Sequence, residues 1–168
     1  MKTILCLTAI AALAVLTYQA SQKTRAHGNC FRRAAFRCTR ECHKQLRINS
    51  ADRRSARKCS RDIRIKLRDF FKSSRDCVLG AGYSSCYNVI PGAMLNITDM
   101  LNYYGEDCAV QTCAAYLHEC SLKHQCPEPP DAATNETVHQ CYDTAGEAAN
   151  AAPSSNCAAL PTPTPQTV

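Results

Sequence analysis

The fold is decided by residues 52–76, DRRSARKCSRDIRIKLRDFFKSSRD, a segment that separates apolar from basic side chains at helical spacing. Small, apolar and cysteine residues recur at steps of three or four, and they are Ala56, Cys59, Ile63, Leu67, Phe70, Ser74 and Cys77. Cations recur at the same steps and are called here the arginine row: Arg54, Arg57, Arg61, Arg64, Arg68, Lys72 and Arg75. A strand has period two and would mix the two sets, whereas an α-helix places each set on its own face. The pattern therefore predicts a helix from about Asp52 to about Asp76, with Ser50 or Asp52 capping its first amide hydrogens.

This predicted helix belongs to a longer stretch, Cys30 to Cys77, which contains five cysteines and neither glycine nor proline. Two of the cysteines, Cys59 and Cys77, fall on the apolar side of the predicted helix. We therefore expect that side to pack against other helices and to be tied to them by disulfides, which leaves the arginine row facing outward. The first part of the stretch predicts another helix, from about residue 29 to about residue 48.

The second half of the chain also has the pattern of helices, separated by glycine and proline. Gly80 and Gly82 break the first long helix, and Gly105 stops a later one. A short helix is predicted at about residues 83–90, and longer ones at about 93–104, 106–125 and 132–149. The sequence thus predicts an all-α fold, a small disulfide-stapled bundle of four to five helices. A Ser/Thr/Pro-rich composition from residue 153 onward predicts an extended C-terminal tail.

The N-terminus has the pattern of a secretory signal peptide. Lys2 supplies the positive start, and residues 4–16 form an apolar run that is too short to cross a bilayer. Cleavage is expected near Ala20, which makes 1–20 the signal peptide, 21–152 a disulfide-rich helical domain and 153–168 the tail. No other apolar run approaches membrane-spanning length, so we expect a secreted, extracellular protein without a transmembrane segment.

The cysteine count predicts disulfides. Removal of the signal peptide takes Cys6 away and reduces the 13 cysteines to an even 12. In an oxidising compartment an even count predicts six disulfides. The cysteines concerned are Cys30, Cys38, Cys42, Cys59, Cys77, Cys86, Cys108, Cys113, Cys120, Cys126, Cys141 and Cys157. Cys38 and Cys42 lie one helical turn apart, and the spacing of Cys113 and Cys120 makes them the expected partners.

Two groups of residues also suggest a metal site. They are Cys38, Cys42 and His43 in the first helix, and His118, Cys120, His124 and Cys126 near the end of a later one. A secreted chain with an even number of cysteines favours disulfides over zinc ligation. We therefore predict no metal and no other cofactor.

Charge divides the chain sharply beyond the signal peptide. Residues 21–76 hold 18 Lys and Arg against five acids, a net +13, whereas residues 77–168 hold only Lys123 against nine acids, a net −8. The basic half would bind an external polyanion, or it would dock on the acidic half of its own fold. The acids are scattered and too few to neutralise the arginine row, so a net positive face is expected to survive.

The chain carries no catalytic pattern. It has no G-x-S-x-G elbow, no phosphate-binding glycine loop and no calcium loop of spaced acids. Secreted phospholipases are also small, helical and rich in disulfides, but they place a His-Asp pair directly after two adjacent cysteines. Here no two cysteines are adjacent and no histidine precedes an aspartate. We therefore predict a protein that is not an enzyme.

Two N-glycosylation sequons lie in the second half of the chain. They are Asn96-Ile97-Thr98 and Asn135-Glu136-Thr137. In a secreted chain they predict glycans on Asn96 and Asn135. A surface that carries a glycan faces solvent and is not a protein contact.

The arginine row is the main functional signal. The planar guanidinium group binds sulfate or phosphate oxygens in pairs. The sequence therefore favours a non-catalytic protein whose arginine row binds an extracellular polyanion, a sulfated glycan or an anionic membrane surface, with no nucleic acid expected. Two interpretations compete with this one: a merely solvated face, and a secreted toxin or signalling ligand that acts on a membrane receptor or ion channel. The oligomeric state stays open, because Cys157 would bind either the body of the protein or a second chain.

Overall fold

The computed structural model describes residues 30–84, 97–126, 129–158 and 160, and every regular element in these residues is a helix. The helices are α1 (30–44), α2 (Arg53–Gly80), α3 (Thr98–Tyr104), α4 (106–123), α5 (Ala132–Asn150) and α6 (Ser155–Ala158). The predicted all-α fold with multiple disulfides is confirmed. Residues 85–90 of the predicted helix at 83–90, the signal peptide and the last residues of the tail lie outside the described residues, while residues 83 and 84 are described and are not helical. Within the described residues no helix is both long and apolar enough to cross a membrane.

Helix α2 is the central element, and its predicted apolar side is buried. Of the seven residues assigned to that side, six are buried and Cys77 alone is exposed. Gly80 ends the helix as predicted, and Gly82 adopts a positive φ of 83°, a conformation that glycine accepts without strain. The predicted side-chain cap is wrong: Asp52 occupies the N-cap position, but its side chain makes no capping hydrogen bond. Its backbone is already helical and continues a turn closed onto Asn49, so the side chain is not placed to accept the first amide hydrogens.

Helices α1 and α4 run antiparallel and are joined by three disulfides. The bonds are Cys30–Cys120, Cys38–Cys113 and Cys42–Cys108, with Cα–Cα distances of 5.9, 4.9 and 5.8 Å. The expectation that Cys113 and Cys120 would bind Cys38 and Cys42 is thus right for one bond, Cys38–Cys113, and wrong for Cys120. The reason is a π-helical stretch in α4, Cys108–Thr112. Residues five apart lie about 140° apart around an α-helix, but the i→i+5 hydrogen bonding of a π-helix brings Cys108 into line with Cys113.

Helix α1 also packs antiparallel against α2. Near the start of α1, the ring of Phe31 stacks on that of Phe71 in the second half of α2, with centroids 6.3 Å apart. Further along α1, the ring of Phe36 lies under the guanidinium of Arg64 in the first half of α2. The two helices therefore form a hairpin, and their facing surfaces are aligned along several turns.

Helices α5 and α6 cover another side of α2. The disulfide Cys77–Cys141 joins α5 to the C-terminal part of α2, and Cys59–Cys157 joins α6 to its N-terminal part. Cys157 therefore ties the chain end to the body of the protein, and the alternative of an interchain bond is wrong. The first residues of the predicted tail form the helical turn α6 and are not extended. Cys126 is also disulfide-bonded, while Cys86 lies outside the described residues.

A polar cluster fastens the chain end onto α2 and α3, and we call it the polar latch: Asp62, Lys66, Asp99, Ser154 and Asn156. Lys66 Nζ forms an ion pair with Asp99 Oδ2 at 2.6 Å and donates a hydrogen bond to the carbonyl of Ala152, also at 2.6 Å. The Ser154 amide donates to Asp99 at 2.9 Å, and Ser154 Oγ donates to Asp62 at 2.7 Å. Asn156 Nδ2 donates to the same Asp62 oxygen at 2.7 Å. Each carboxylate of the latch thus accepts hydrogen bonds from the chain end, as buried charges require.

Candidate functional site

The hairpin of α1 and α2 forms a groove of about 660 Å³ that we call the arginine groove. Six arginines line it, three from each helix: Arg32, Arg33 and Arg37 from α1, and Arg61, Arg64 and Arg68 from α2. The remaining lining residues are Ala35, Phe36 and Ile65. Steps of three and four keep the α2 arginines on one side of the helix over a length of about 10 Å. Both walls of the groove therefore present guanidinium groups, and apolar side chains lie between them.

The structure divides the predicted arginine row. Its middle members, Arg61, Arg64 and Arg68, line the groove, whereas the other four do not. Of those four, Arg54, Arg57 and Lys72 are exposed, and Arg75 is partly buried and forms an ion pair with Asp76 at 2.7 Å. The predicted row is thus one face of α2, and its three middle members lie beside the arginines of α1.

Sequence reasoning missed the contribution of α1 to this site. Arg33 and Arg37 are four residues apart in a segment that the sequence predicts to be helical, so a second basic row was visible. Which side of α1 faces α2 depends on tertiary packing, however, and the periodicity of one helix does not contain that information. The exposed apolar residues of the groove, Phe36 and Ile65, were missed for the same reason.

Few acids oppose the groove arginines. Within the described residues only Arg68 forms an ion pair, at 2.9 Å with its sequence neighbour Asp69, and both side chains are more than half exposed. The basic half meets the acidic half through a single ion pair in this part of the chain, Lys66–Asp99. Docking of the arginine row on the protein's own acids therefore has no support among the described contacts.

Arg64 is the most constrained of the groove arginines. It is partly buried, and its Nε donates a hydrogen bond to the carbonyl of Ser60 at 3.1 Å. Its guanidinium carbon lies 5.2 Å from the centroid of the Phe36 ring, within the range of a cation–π interaction. Arg64 therefore holds one orientation at the junction of the two helices, and less conformational entropy is lost when it binds an anion.

Three titratable side chains near the groove, His43, Tyr103 and Tyr104, are uncharged at neutral pH. Burial lowers the pKa of His43, and the nearby charges of Arg64 and Arg57 lower it further. Burial raises the pKa of Tyr103 to about 12, and burial likewise raises the pKa of Tyr104, whose hydroxyl donates to Ser60 Oγ at 2.8 Å. The positive charge here thus comes from arginine and does not depend on histidine protonation.

The cysteines considered as metal ligands are all bonded in disulfides. The sulfur atoms of Cys38, Cys42 and Cys113 lie within 4.8 Å of one another, but each belongs to a disulfide and does not offer a thiolate. Of the second group, Cys120 is bonded to Cys30 and His118 is exposed. The neighbouring sulfurs are therefore a product of two adjacent disulfides, which accounts for their geometry without a metal.

The sequons are placed only in part. Asn135 lies in the first turn of α5 and is partly buried, and Thr137 of the same sequon donates its hydroxyl to the carbonyl of Ala133 at 2.9 Å. Asn96 lies outside the described residues. Glycosylation at both asparagines stays a prediction.

Comparison with protein-family models, with curated proteins and with solved structures finds no match for this chain. What the fold and the groove define is a class, a small all-α protein with multiple disulfides and a concave basic surface. The function has to be argued from that surface.

Proposed function

We propose that the protein is a secreted, non-catalytic binding protein that holds a sulfated glycan chain in the arginine groove. The observation that carries this proposal is the convergence of six arginines from two helices, of which one alone forms an ion pair among the described residues. A fold gains nothing from gathering unneutralised like charges, because they repel one another. A polyanion that enters the groove would relieve that repulsion.

The chemistry of the groove suits sulfate groups. Guanidinium presents a rigid fork of donors that matches sulfate oxygens, and it is less strongly hydrated than the ammonium of lysine. All six cations that line the groove are arginines. A concave site with cations on both walls surrounds a chain, whereas a flat membrane surface would contact only the outer rim of such a site. These features favour a glycan chain over an anionic bilayer.

The covalent structure suits an extracellular location. Disulfides persist in oxidising compartments and are rare in the cytosol. The apolar N-terminal segment supports secretion independently. The disulfides fasten α1 to α4 and α2 to α5 and α6, and the stacking of Phe31 on Phe71 holds the two walls of the groove beside each other, which preorganises the arginines for binding.

The proposal is tested with two triple variants of matched charge. Arg61, Arg64 and Arg68 changed to Gln remove one wall of the groove, while Arg54, Arg57 and Lys72 changed to Gln remove three cations of the same helix outside it. We expect the groove variant to bind immobilised heparin at least about tenfold more weakly at low salt. Its affinity should also depend less steeply on salt, because fewer counterions are released. The outside variant should keep most of the affinity.

Two controls make the result interpretable. Both variants should melt within a few degrees of the wild type, because five of the six changed residues are exposed and Arg64 is only partly buried. Vesicles of anionic phospholipid replace heparin in a second series, and preferential binding to vesicles would assign the groove to a membrane surface. Equal losses in both variants would contradict a groove-specific site. If no polyanion binds even at low salt, the groove is a solvated face and the toxin or signalling-ligand hypothesis takes its place.

A further inference from the structure

A second groove lies on the opposite flank of α1, between α1 and α4. Its volume is about 330 Å³. It shares two residues with the arginine groove, because Arg33 and Arg37 line both. On the α4 side it is lined by Glu119, Lys123 and His124. Arg33 and Arg37 therefore stand on a ridge, with a basic depression on each side.

The position of Lys123 is informative. It is the only lysine or arginine among residues 77–168, which hold nine acids. The fold nevertheless brings it to the same groove as Arg33 and Arg37. The acidic half of the chain thus contributes its single Lys to the basic surface. Lys123 lies on the flank of α1 that faces away from the arginine groove.

We propose that the anion-binding site continues over α1 into the second groove, so that it takes an extended sulfated chain across three helices. This inference rests on the proposed function. Helices pack about 8–10 Å apart, so a path from α2 across α1 to α4 spans about 16–20 Å. A single sulfate or a short fragment fills only the arginine groove, whereas a longer chain also reaches Lys123.

Glu119 places a negative charge in the second groove, which weakens anion binding there. Its exposed carboxylate lines the same depression as Lys123 and repels a sulfated chain that reaches there. The second groove is therefore the weaker end of the site, and the two side chains should act in opposite directions. Net charge alone would also give opposite signs, so the dependence of both effects on the length of the bound chain is what identifies the second groove.

The test compares defined heparin fragments, a disaccharide and a decasaccharide, on the full mature chain. Lys123→Gln should weaken binding of the decasaccharide about two- to fivefold and leave the disaccharide unchanged, because the disaccharide is too short to reach both grooves. Glu119→Gln should strengthen decasaccharide binding by a similar factor, again without affecting the disaccharide. The matched control is Lys58→Gln, because Lys58 is exposed on α2 and lines neither groove.

The possible outcomes distinguish a failure of the extended site from a failure of glycan binding in the arginine groove. If Lys123→Gln and Lys58→Gln have the same small effect on both fragments, the extension is wrong while binding in the arginine groove stands. If the disaccharide is as sensitive to Lys123→Gln as the decasaccharide is, the two grooves do not form one extended site and the inference is overturned. If the wild type binds neither fragment at low salt, both the inference and the proposed function fail.

Discussion

Helix α2 carries cations in two different situations, and the contrast separates architecture from binding. Lys66 has a side chain only 16% exposed, and it is paired with Asp99, whose side chain is 10% exposed. Arg61, five residues earlier, is exposed and has no ion pair among the described residues. A buried charge must be compensated by the fold itself, whereas an exposed one is free to bind something else. The unpaired charges of α2 are thus the functional candidates, and the paired ones hold the chain end in place.

The largest effect is expected where the paired cation loses its partner. Asp99→Asn leaves the ammonium of Lys66 with the Ala152 carbonyl as its described contact and removes the charge that offsets its desolvation. We expect a loss of about 3 kcal/mol in the free energy of unfolding, as for other ion pairs broken on one side in a largely buried setting. Urea denaturation with the disulfides intact measures it.

The matched control for that prediction is Arg61→Gln on the same helix. Removal of an exposed charge should change the free energy of unfolding by no more than about 0.5 kcal/mol. Similar losses in the two variants would show that the division of α2 into paired and unpaired cations has no energetic meaning. A loss only in Asp99→Asn would establish Lys66 as part of the architecture.

A smaller effect, dependent on pH, is expected at Asp62. Hydrogen bonds from Asn156 and Ser154, together with the charges of Arg61 and Lys66, hold the pKa of Asp62 below its ordinary value of 3.8, although burial opposes them. The stabilisation is therefore complete above about pH 3.8 and is lost as the pH falls through the lowered pKa. Melting curves of the wild type and of Asp62→Asn, measured from about pH 6 to about pH 2, test this.

The comparison of the two melting series gives a clear sign. The variant should be less stable than the wild type near neutral pH, and the difference should shrink in acid, where the wild-type carboxyl is protonated too. A difference that stays constant down to the lowest pH would mean that the carboxylate charge of Asp62 does not strengthen the polar latch.

Much of this architecture follows from local sequence, because helix periodicity is local information. The burial of Ile63, Leu67 and Phe70 was predictable from their spacing alone. The disulfide pairing was not, because the π-helical stretch at Cys108–Thr112 changes which residues of α4 share a face. Such a stretch has no reliable signature in a single sequence.

Of the proposed binding surface, the contribution of α2 was predictable from the sequence and the contribution of α1 was not. The basic face of α2 was predictable from the helical spacing of its cations, but the groove exists only because α1 packs beside that face. The role of Lys66 was likewise hidden, because Asp99 lies 33 positions away and the contact between them is set by tertiary structure. Charge patterning identifies basic surfaces well, and it identifies poorly which cations are already paired.

The smallest expected effect concerns the apolar floor of the arginine groove. Phe36 is 50% exposed, which is unusual for a large apolar side chain, and its ring lies under the guanidinium of Arg64. Phe36→Leu keeps an apolar side chain but removes the ring that orients Arg64. A cation–π contact at an exposed site contributes about 0.5–1 kcal/mol, so heparin binding should weaken about two- to fivefold.

Leu79→Ala is the control, because Leu79 is also exposed on α2 but lines neither groove. Unchanged binding in Phe36→Leu would mean that Arg64 is oriented by its hydrogen bond to Ser60 alone, whereas a loss that persists at high salt would show that Phe36 itself contacts the ligand, since salt screens charges but not apolar contacts.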